Sequence, residues 1–188
     1  MSYNYHGIDL SRLKTYQEKL RNRISLAPLK KEIRYVGGVD QAFASDRVIS
    51  AVVICKQDLT IVEERVSVMK TGFPYIPTFL SFREGPAIIR TVRQLDTEPD
   101  LLFVDGSGVL HPRRLGLATH IGVILGIPTI GVTKRRLCGE HDPVIDVGDA
   151  KPVYLDGEHM GYVYISKKAT RPIYISPGNL VSVKQSLI

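Results

Sequence analysis

The sequence contains no tryptophan, only two cysteines and only three methionines among its 188 residues. Cys55 and Cys138 lie far apart and in no metal-ligand spacing, so we predict neither a disulfide framework nor a cysteine zinc site. No run reaches the roughly 18 apolar residues of a membrane span, and the N-terminal stretch MSYNYHGIDL lacks the apolar core of a signal peptide. We therefore expect a cytoplasmic protein without a membrane segment.

The composition is that of a folded domain with a basic surface. A chain of this length fits one domain, 1–188, and a hydrophobic fraction of 44% is enough for a full core. The formal net charge is +6 and the pI is about 9.3, which favours a polyanionic partner such as nucleic acid. Many ordinary soluble domains are equally basic, so the charge alone does not identify a function.

The spacing of apolar residues predicts an α/β domain. We expect an amphipathic helix over 11–27, strands over 33–43, 48–56 and 61–70, a helix over 86–96 that begins at Pro86, a buried strand over 101–104, a helix over 115–125, a strand over 128–134, a hairpin that turns at Asp156-Gly157 and a last strand over 172–176. Three antiparallel strands followed by strand-helix-strand units indicate a mixed central β-sheet flanked by helices.

Two aspartates fall on strands that we expect to be neighbours. Asp40 lies inside the first strand run, and Asp105 ends the buried strand before a DGSG turn. Taken alone, Asp40 could be solvent-facing and Asp105 could simply begin the glycine-rich turn. Together they would converge on one point, and carboxylate oxygens are the ligands that Mg²⁺ prefers.

Glu84 allows two interpretations. Ser81 and Glu84 have the spacing of a capping box at the start of a helix. Proline favours the first helical position, however, and a helix that starts at Pro86 would leave Glu84 just before it, free to point into a cleft.

The remaining candidates are basic, titratable or aromatic. His111 lies six residues past Asp105, and Lys134 closes a buried strand at the head of a basic run with Arg135 and Arg136. Lys134 could stabilise charge on a scissile phosphate, and Arg113 and Arg114 could hold flanking phosphates. In FPYIPTF, two prolines stiffen a loop that presents Tyr75; it could pack on its own surface or enter a nucleic-acid stack as a wedge.

Four motifs, in this order, resemble those of the endonuclease V family: GVDQAF, PYIPTFLSFREGP, FVDGSGVLHPRRLGLATHIG and GVTKRRL. The tail GYVYISKKATRPIYISPGN is similar as well. The resemblance implies an RNase H-like fold and a Mg²⁺-dependent endonuclease, with Mn²⁺ as a substitute, that recognises deaminated adenine. Such enzymes nick the strand at the second phosphodiester bond 3′ to the lesion.

By position, the resemblance implies a role for each matching residue. The carboxylates of Asp40, Glu84 and Asp105 would bind metal and catalyse together with His111 and Lys134. Tyr75 would be the wedge. The base pocket would be walled by Leu80, Gly106, Gly108 and Leu137, and the glycines would let the backbone approach a flipped base. The partner would be inosine-containing DNA, and for some members RNA, bound by a monomer.

Two departures from the family pattern concern the metal site. Many members have histidine where this chain has Asn179, and members usually continue into a C-terminal helix with a further residue near the metal. Two alternatives therefore stay open beside the inosine-specific nuclease. One is another RNase H-like nuclease, specific for RNA or for a nucleic-acid structure. The other is a lesion-binding protein with weakened catalysis.

Overall fold

An eight-stranded mixed sheet forms the centre of the computed structural model, which describes residues 4–5, 7–144 and 146–187. The sheet has the strand order β5-β4-β3-β6-β7-β10-β9-β8, and β1 pairs only with β2. The elements in chain order are β1 (Asn4–Tyr5), β2 (Ile8–Asp9), α1 (Leu10–Arg21), β3 (Tyr35–Ala44), β4 (Arg47–Lys56), β5 (Ile61–Lys70), α2 (Leu80–Val92), β6 (Leu101–Asp105), α3 (Leu117–Leu125), β7 (Thr129–Thr133), β8 (Ala150–Leu155), β9 (Glu158–Tyr164), β10 (Ile173–Asn179) and a final 3₁₀ turn, Lys184–Leu187.

The first three long strands form the antiparallel meander that the sequence predicts. β4 pairs with β3 on one side and with β5 on the other. Val48, Val52 and Ile54 of β4 point into the core and alternate with more exposed residues, as expected of a strand with one covered face. The meander therefore supplies one half of the sheet and leaves β5 at its edge.

The middle of the sheet is parallel and buried on both faces. β6 pairs in parallel with β3 and with β7, which confirms the predicted neighbourhood of the first and fourth long strands. On one face, Leu102 and Val104 pack with α2 and α3; on the other, Leu101 and Phe103 pack with the C-terminal segment. Carboxyl ends of parallel strands meet at one edge of a sheet, and that edge carries the polar residues described below.

The first helix is shorter than its apolar pattern predicts. Asp9 caps it, because its Oδ1 accepts hydrogen bonds from the backbone N–H groups of Ser11 and Arg12 at 2.9 and 3.3 Å. It ends at Arg21 instead of 27, because the Ser25 N–H and carbonyl bond Asn179 and Leu180 of the C-terminal segment. Of the described helices, none is both long and apolar enough to cross a membrane.

The second helix begins earlier than predicted. It starts at Leu80, so Pro86 lies inside it and Glu84 lies in its second turn, and neither sequence interpretation of Glu84 is correct. Ser81 is inside the helix and makes no capping bond. The helix accommodates the proline because Leu80, Ile88 and other apolar residues of α2 pack into the main core, which outweighs one lost backbone hydrogen bond.

The C-terminal half agrees with the sequence except in its last strand. The β8–β9 hairpin turns at Asp156-Gly157, both with positive φ, as a tight hairpin requires. The last strand continues to Asn179, so the Ser-Pro-Gly segment lies within β10 and does not form a turn.

Gly108, in the turn after β6, is required for close packing against β10. A Cβ at this position would overlap the backbone carbonyl groups of Ser176 and Pro177. The Val109 N–H donates to the Pro177 carbonyl at 2.9 Å, so the turn and strand cannot separate without losing this bond. Gly108 is therefore required for the packing of the turn, and its part in the backbone approach to a base stays a prediction.

Gly108→Ala should lower the free energy of unfolding by about 2–3 kcal/mol, because the added methyl group meets backbone atoms that cannot move independently. The matched control is Gly38→Ala on β3, where an added Cβ meets nothing within 4 Å and stability should change little. Urea unfolding of both variants measures the difference. Equal stabilities for the two variants would contradict the packing role.

Candidate active site

Asp40, in the middle of β3, and Asp105, at the carboxyl end of β6, lie side by side where the pairing of these two strands ends. The parallel register pairs Val39 with Val104, so the next residue on each strand is one of the two aspartates. Both residues are exposed. Partial burial of the carboxyl group and the charge of Asp40 raise the pKa of Asp105, whereas Lys134 lowers it.

Glu84 brings a third carboxyl group from α2 and is the buried member of the set, only 8% exposed. Burial raises the pKa of Glu84 to about 7, the negative charges of Asp105 and Asp40 add to this effect, and Arg83 opposes it. These shared influences place the three side chains within electrostatic reach of one another. The structure thus brings together the carboxylates that the sequence resemblance selects.

The three carboxylates fit a divalent cation by their chemistry. Within the described part of the chain, neither Glu84 nor Asp105 accepts a hydrogen bond or forms a salt bridge, and Asp40 accepts only the N–H of Gln41, at 2.7 Å. Their oxygens are therefore available as ligands, and a cation would relieve their repulsion. Across the described residues, no three His, Cys, Asp or Glu side chains already have the spacing of one bound ion.

A cavity of about 330 Å³ opens beside this carboxylate cluster, a size common among small-ligand sites. Its walls come from the 74–77 loop, the start of α2, the turn after β6 and the segment after β7. Most of the lining is apolar. The sequence-predicted residues that line it are Tyr75, Leu80, Asp105, Gly106, His111, Lys134 and Leu137. Asp105 and Lys134 also line a second depression that contains Asp40, so they connect the cavity to the carboxylates.

Tyr75 lies at the cavity rim, 65% exposed, while its neighbour Ile76 is only 6% exposed and anchors the loop. The sequence interpretation presented both side chains to the outside, and it is wrong for Ile76. An anchored loop with a free aromatic ring at its tip has the form that a wedge needs.

Three comparisons with known proteins agree. A sequence profile described as Endonuclease V matches residues 18–188. Endonuclease V of Archaeoglobus fulgidus is 44% identical over 184 residues, which cover 96% of this chain and 82% of that protein. The chain belongs to the endonuclease V family. It is therefore a DNA endonuclease, a hydrolase of phosphodiester bonds.

Solved structures of the family share the fold. The crystal structure of Endonuclease V from Bacillus subtilis matches with a TM-score of 0.88 at 32% identity and covers 95% of this chain and 80% of that one. The Ciona intestinalis enzyme was crystallised in complex with a 24mer DNA that contains an inosine followed by a ribo-adenosine. It matches with a TM-score of 0.76 at 24% identity, covering 95% of this chain and 86% of that one. Nucleases of this family depend on a metal ion.

His111 has both ring nitrogens engaged by the backbone. Nδ1 accepts the N–H of Arg113 at 3.1 Å, so Nε2 carries the proton and donates to the Thr78 carbonyl at 3.1 Å. Burial lowers the pKa of His111 to about 4, with a further contribution from Arg113, although the bond to Thr78 opposes the shift. The ring lines the cavity as a neutral, held group.

The two arginines of the HPRR segment contact protein atoms. Arg113 bonds Gln17 and Thr78, and its guanidinium lies over the Phe79 ring at 4.5 Å. Arg114 forms salt bridges with Asp156 at 3.8 Å and Glu158 at 2.7 Å. Neither residue lines the cavity. The exposed cations at the cavity are instead Lys134 and Arg135, with Arg136 next to them.

Gly106 and Asn179 have structural surroundings that the sequence did not predict. A Cβ on Gly106 would press on Leu117 at 2.8 Å. Asn179 is buried, accepts the N–H of Ser25 and donates to the Gly122 carbonyl, both at 3.1 Å. It pairs with Thr129 at the start of β7, whereas Lys134 follows the end of that strand. Asn179 therefore lies away from the carboxylates and does not replace a metal ligand.

Gln17 is the residue near the site that sequence reasoning missed. It lies on α1 and is 0% exposed, although its neighbours in the sequence are charged or polar. Its amide bonds the Thr78 carbonyl and the Arg113 guanidinium. The available signal was its spacing, four residues after Leu13 and three before Leu20, which places it on the apolar side of the helix.

Glu84→Gln should stabilise the metal-free protein at neutral pH and not at acid pH. Because the folded pKa of Glu84, about 7, exceeds its ordinary value of 4.5, the folded state holds the extra proton between these values, and this group makes stability fall as pH rises. Glutamine cannot ionise, so its advantage in EDTA should be of the order of 2–3 kcal/mol above pH 7 and vanish near pH 4.5.

The matched control is Glu64→Gln, at an exposed carboxylate on β5. Its stability relative to the unmodified protein should be nearly independent of pH. Urea unfolding at several pH values checks both variants, and a Glu84→Gln advantage that is constant with pH would contradict the buried, repelled carboxyl group.

Proposed function

We propose that this endonuclease V family member binds inosine-containing DNA, holds the hypoxanthine base in the cavity and nicks the strand at the second phosphodiester bond 3′ to it in the presence of Mg²⁺. Mn²⁺ should substitute, and inosine-containing RNA is a second substrate to test. The observation that carries the proposal is that the cavity and the depression that contains Asp40 share Asp105 and Lys134 as lining residues. A base in the cavity then lies beside the cluster and not within it, so the cut falls at a phosphate beyond the base.

The cavity has features that suit a flipped purine. Leu80, Leu115 and Leu117 supply apolar walls for the faces of the ring, and the Gly106-Ser107 backbone supplies polar groups near them. Hypoxanthine presents an O6 acceptor and an N1–H donor where adenine presents a donor and an acceptor, so backbone groups can distinguish the two bases. Tyr75 at the rim would fill the gap that the base leaves in the stack.

The carboxylates and Lys134 account for the hydrolysis. Asp40, Glu84 and Asp105 would hold Mg²⁺, which supplies charge stabilisation at the phosphate and a more acidic water. Lys134, an exposed cation beside Asp105, would hold the scissile phosphate and stabilise the charge that develops on it. Arg135 and Arg136 would neutralise neighbouring phosphates. Complexes of the Ciona intestinalis relative with inosine-containing DNA support this choice of partner.

The test compares end-labelled DNA and RNA strands with and without one inosine, in Mg²⁺, in Mn²⁺ and in EDTA. We expect one cut at the second bond 3′ to inosine in either metal and none in EDTA. Asp105→Asn should reduce the single-turnover rate at least a hundredfold, because it removes a metal ligand of similar shape. The control Asp58→Asn, in the distant β4–β5 turn, should cut normally.

The other outcomes separate the alternatives. Equal cutting of strands with and without inosine would indicate a different RNase H-like nuclease. Tight binding of inosine strands without a cut in either metal would indicate a lesion-binding protein. Full activity of Asp105→Asn would remove the carboxylate site from the proposal.

A further inference from the structure

Thr78 directly follows the 74–77 loop, and its backbone has a conformation that its side chain disfavours. Its φ is +69°, in the left-handed region, and a β-branched residue there is strained. Such strain persists only where surrounding contacts determine the conformation, and it commonly marks a functional position. The contacts around Thr78 therefore need an explanation.

Three side chains converge on the carbonyl oxygen of Thr78. It accepts hydrogen bonds from Gln17 Nε2 at 3.2 Å, from His111 Nε2 at 3.1 Å and from Arg113 Nη2 at 2.7 Å. Arg113 Nη2 also donates to Thr78 Oγ1 at 2.7 Å. Three donors share the two lone pairs of this oxygen, so its position is set by contacts from three different side chains.

The donors also hold one another. Arg113 Nε donates to Gln17 Oε1 at 2.6 Å, and the Arg113 N–H donates to His111 Nδ1 at 3.1 Å. Gln17 is fully buried and His111 is 3% exposed. We call this network of Gln17, His111 and Arg113 around Thr78 the carbonyl clamp.

The other end of the loop is fixed separately. Arg83 Nη1 donates to the Phe73 carbonyl at 2.6 Å, and its guanidinium lies over the Phe43 ring at 4.4 Å. Between the two attachments Ile76 is buried and Tyr75 is exposed. The loop is therefore held at both ends with the tyrosine ring projecting from its middle.

We propose that the carbonyl clamp positions Tyr75 for insertion into the nucleic-acid stack, and that Gln17, His111 and Arg113 are positioning residues for this reaction. The inference rests on the proposed function, since it needs Tyr75 to act as a wedge. A loop fixed before binding loses less conformational entropy on insertion, so the clamp would strengthen binding wherever a base must be unstacked.

The proposal gives His111 and Arg113 of the HPRR segment different roles from those that the sequence analysis suggested. A guanidinium that bonds Gln17 and Thr78 is fixed toward the loop, and a histidine whose two nitrogens are both bonded cannot transfer a proton without leaving them. The competing roles are phosphate contact for Arg113 and acid–base catalysis for His111. Each of these roles predicts a different experimental result from the positioning role.

Arg113→Lys separates positioning from phosphate contact. Lysine keeps the positive charge, but it cannot bond Gln17 and Thr78 together as the planar guanidinium does. We expect about tenfold weaker binding to inosine-containing duplex, corresponding to one or two lost hydrogen bonds, with little change on single strands that need no unstacking. The salt dependence of binding should stay the same. Gln17→Leu, far from any phosphate contact, should give the same pattern.

The decisive experiment is a double-mutant cycle with Tyr75→Ala. Binding is measured on duplex and single-stranded inosine DNA, and 2-aminopurine beside the inosine reports unstacking by stopped flow before the nick. If the clamp acts through Tyr75, Arg113→Lys should cost about tenfold in the unmodified protein and nothing further in Tyr75→Ala. Tyr75→Phe should retain the coupling, because insertion needs the ring. Thermal melts confirm that each variant folds. If Gln17→Leu does not fold, Arg113→Lys alone is sufficient for the test.

Three results would overturn the proposal. Additive losses for Arg113→Lys and Tyr75→Ala, or unchanged binding in Arg113→Lys, would refute the clamp. A loss of a hundredfold or more in single-turnover cleavage by His111→Gln, with binding intact, would assign acid–base catalysis to His111. Failure of the proposed function would look different, since the unmodified protein would not nick inosine-containing strands at all.

Discussion

Repulsion among three carboxyl groups is the constraint around which the active site is built. The parallel pairing of β3 with β6 sets Asp40 beside Asp105, and α2 carries Glu84 toward both from the helix layer. Burial and the two neighbouring charges raise the pKa of Glu84 to about 7. In the absence of a cation the fold therefore bears an electrostatic cost at this edge of the sheet. A divalent cation would relieve that cost, which agrees with the metal dependence of the family.

At this edge of the sheet, the segments proposed to recognise the base differ from those proposed to carry out the hydrolysis. The apolar cavity lies between the 74–77 loop and the turn after β6, and Asp105 lines both this cavity and the neighbouring depression that contains Asp40. Of the basic residues, Arg114 pairs with acids of the β8–β9 hairpin and Arg113 belongs to the carbonyl clamp. The phosphate contacts are therefore proposed for Lys134 and its neighbours after β7. The net charge of the chain overstates the number of cations that face the substrate.

The sequence predicts most of the strands because their apolar residues alternate or run continuously, as in β4 and β6. It predicts the meeting of Asp40 and Asp105 because the first strand of the meander and the buried strand after α2 are expected to be neighbours. It fails for the start of α2, where proline indicated a boundary that core packing by Ile88 and its neighbours overrides. A local sequence rule considers one residue at a time, whereas the stability of a helix in the folded protein depends on the packing of its whole buried face.

Other errors arise where a residue's partner is distant in the chain. Gln17 looks like part of a solvated helix face, because nothing near it in sequence shows that Thr78 and Arg113 meet it. Asn179 looks like a replaced metal ligand until the antiparallel register of β10 places it beside Thr129. The glycine at 108 looks like a means of approaching a base, although the backbone of β10 already requires it. The family resemblance identifies such positions without giving their physical cause.

The central claim is that Glu84 is protonated in the metal-free protein and gives up its proton when the carboxylates bind a cation. Calorimetric titration with Mg²⁺ at pH 6, in buffers of different ionisation enthalpy, measures that proton directly. Because the pKa of Glu84 is about 7, the unmodified protein should release close to one proton per bound ion, and Glu84→Gln should lose that release. Heats that are the same in every buffer, with Mg²⁺ bound, would contradict the account.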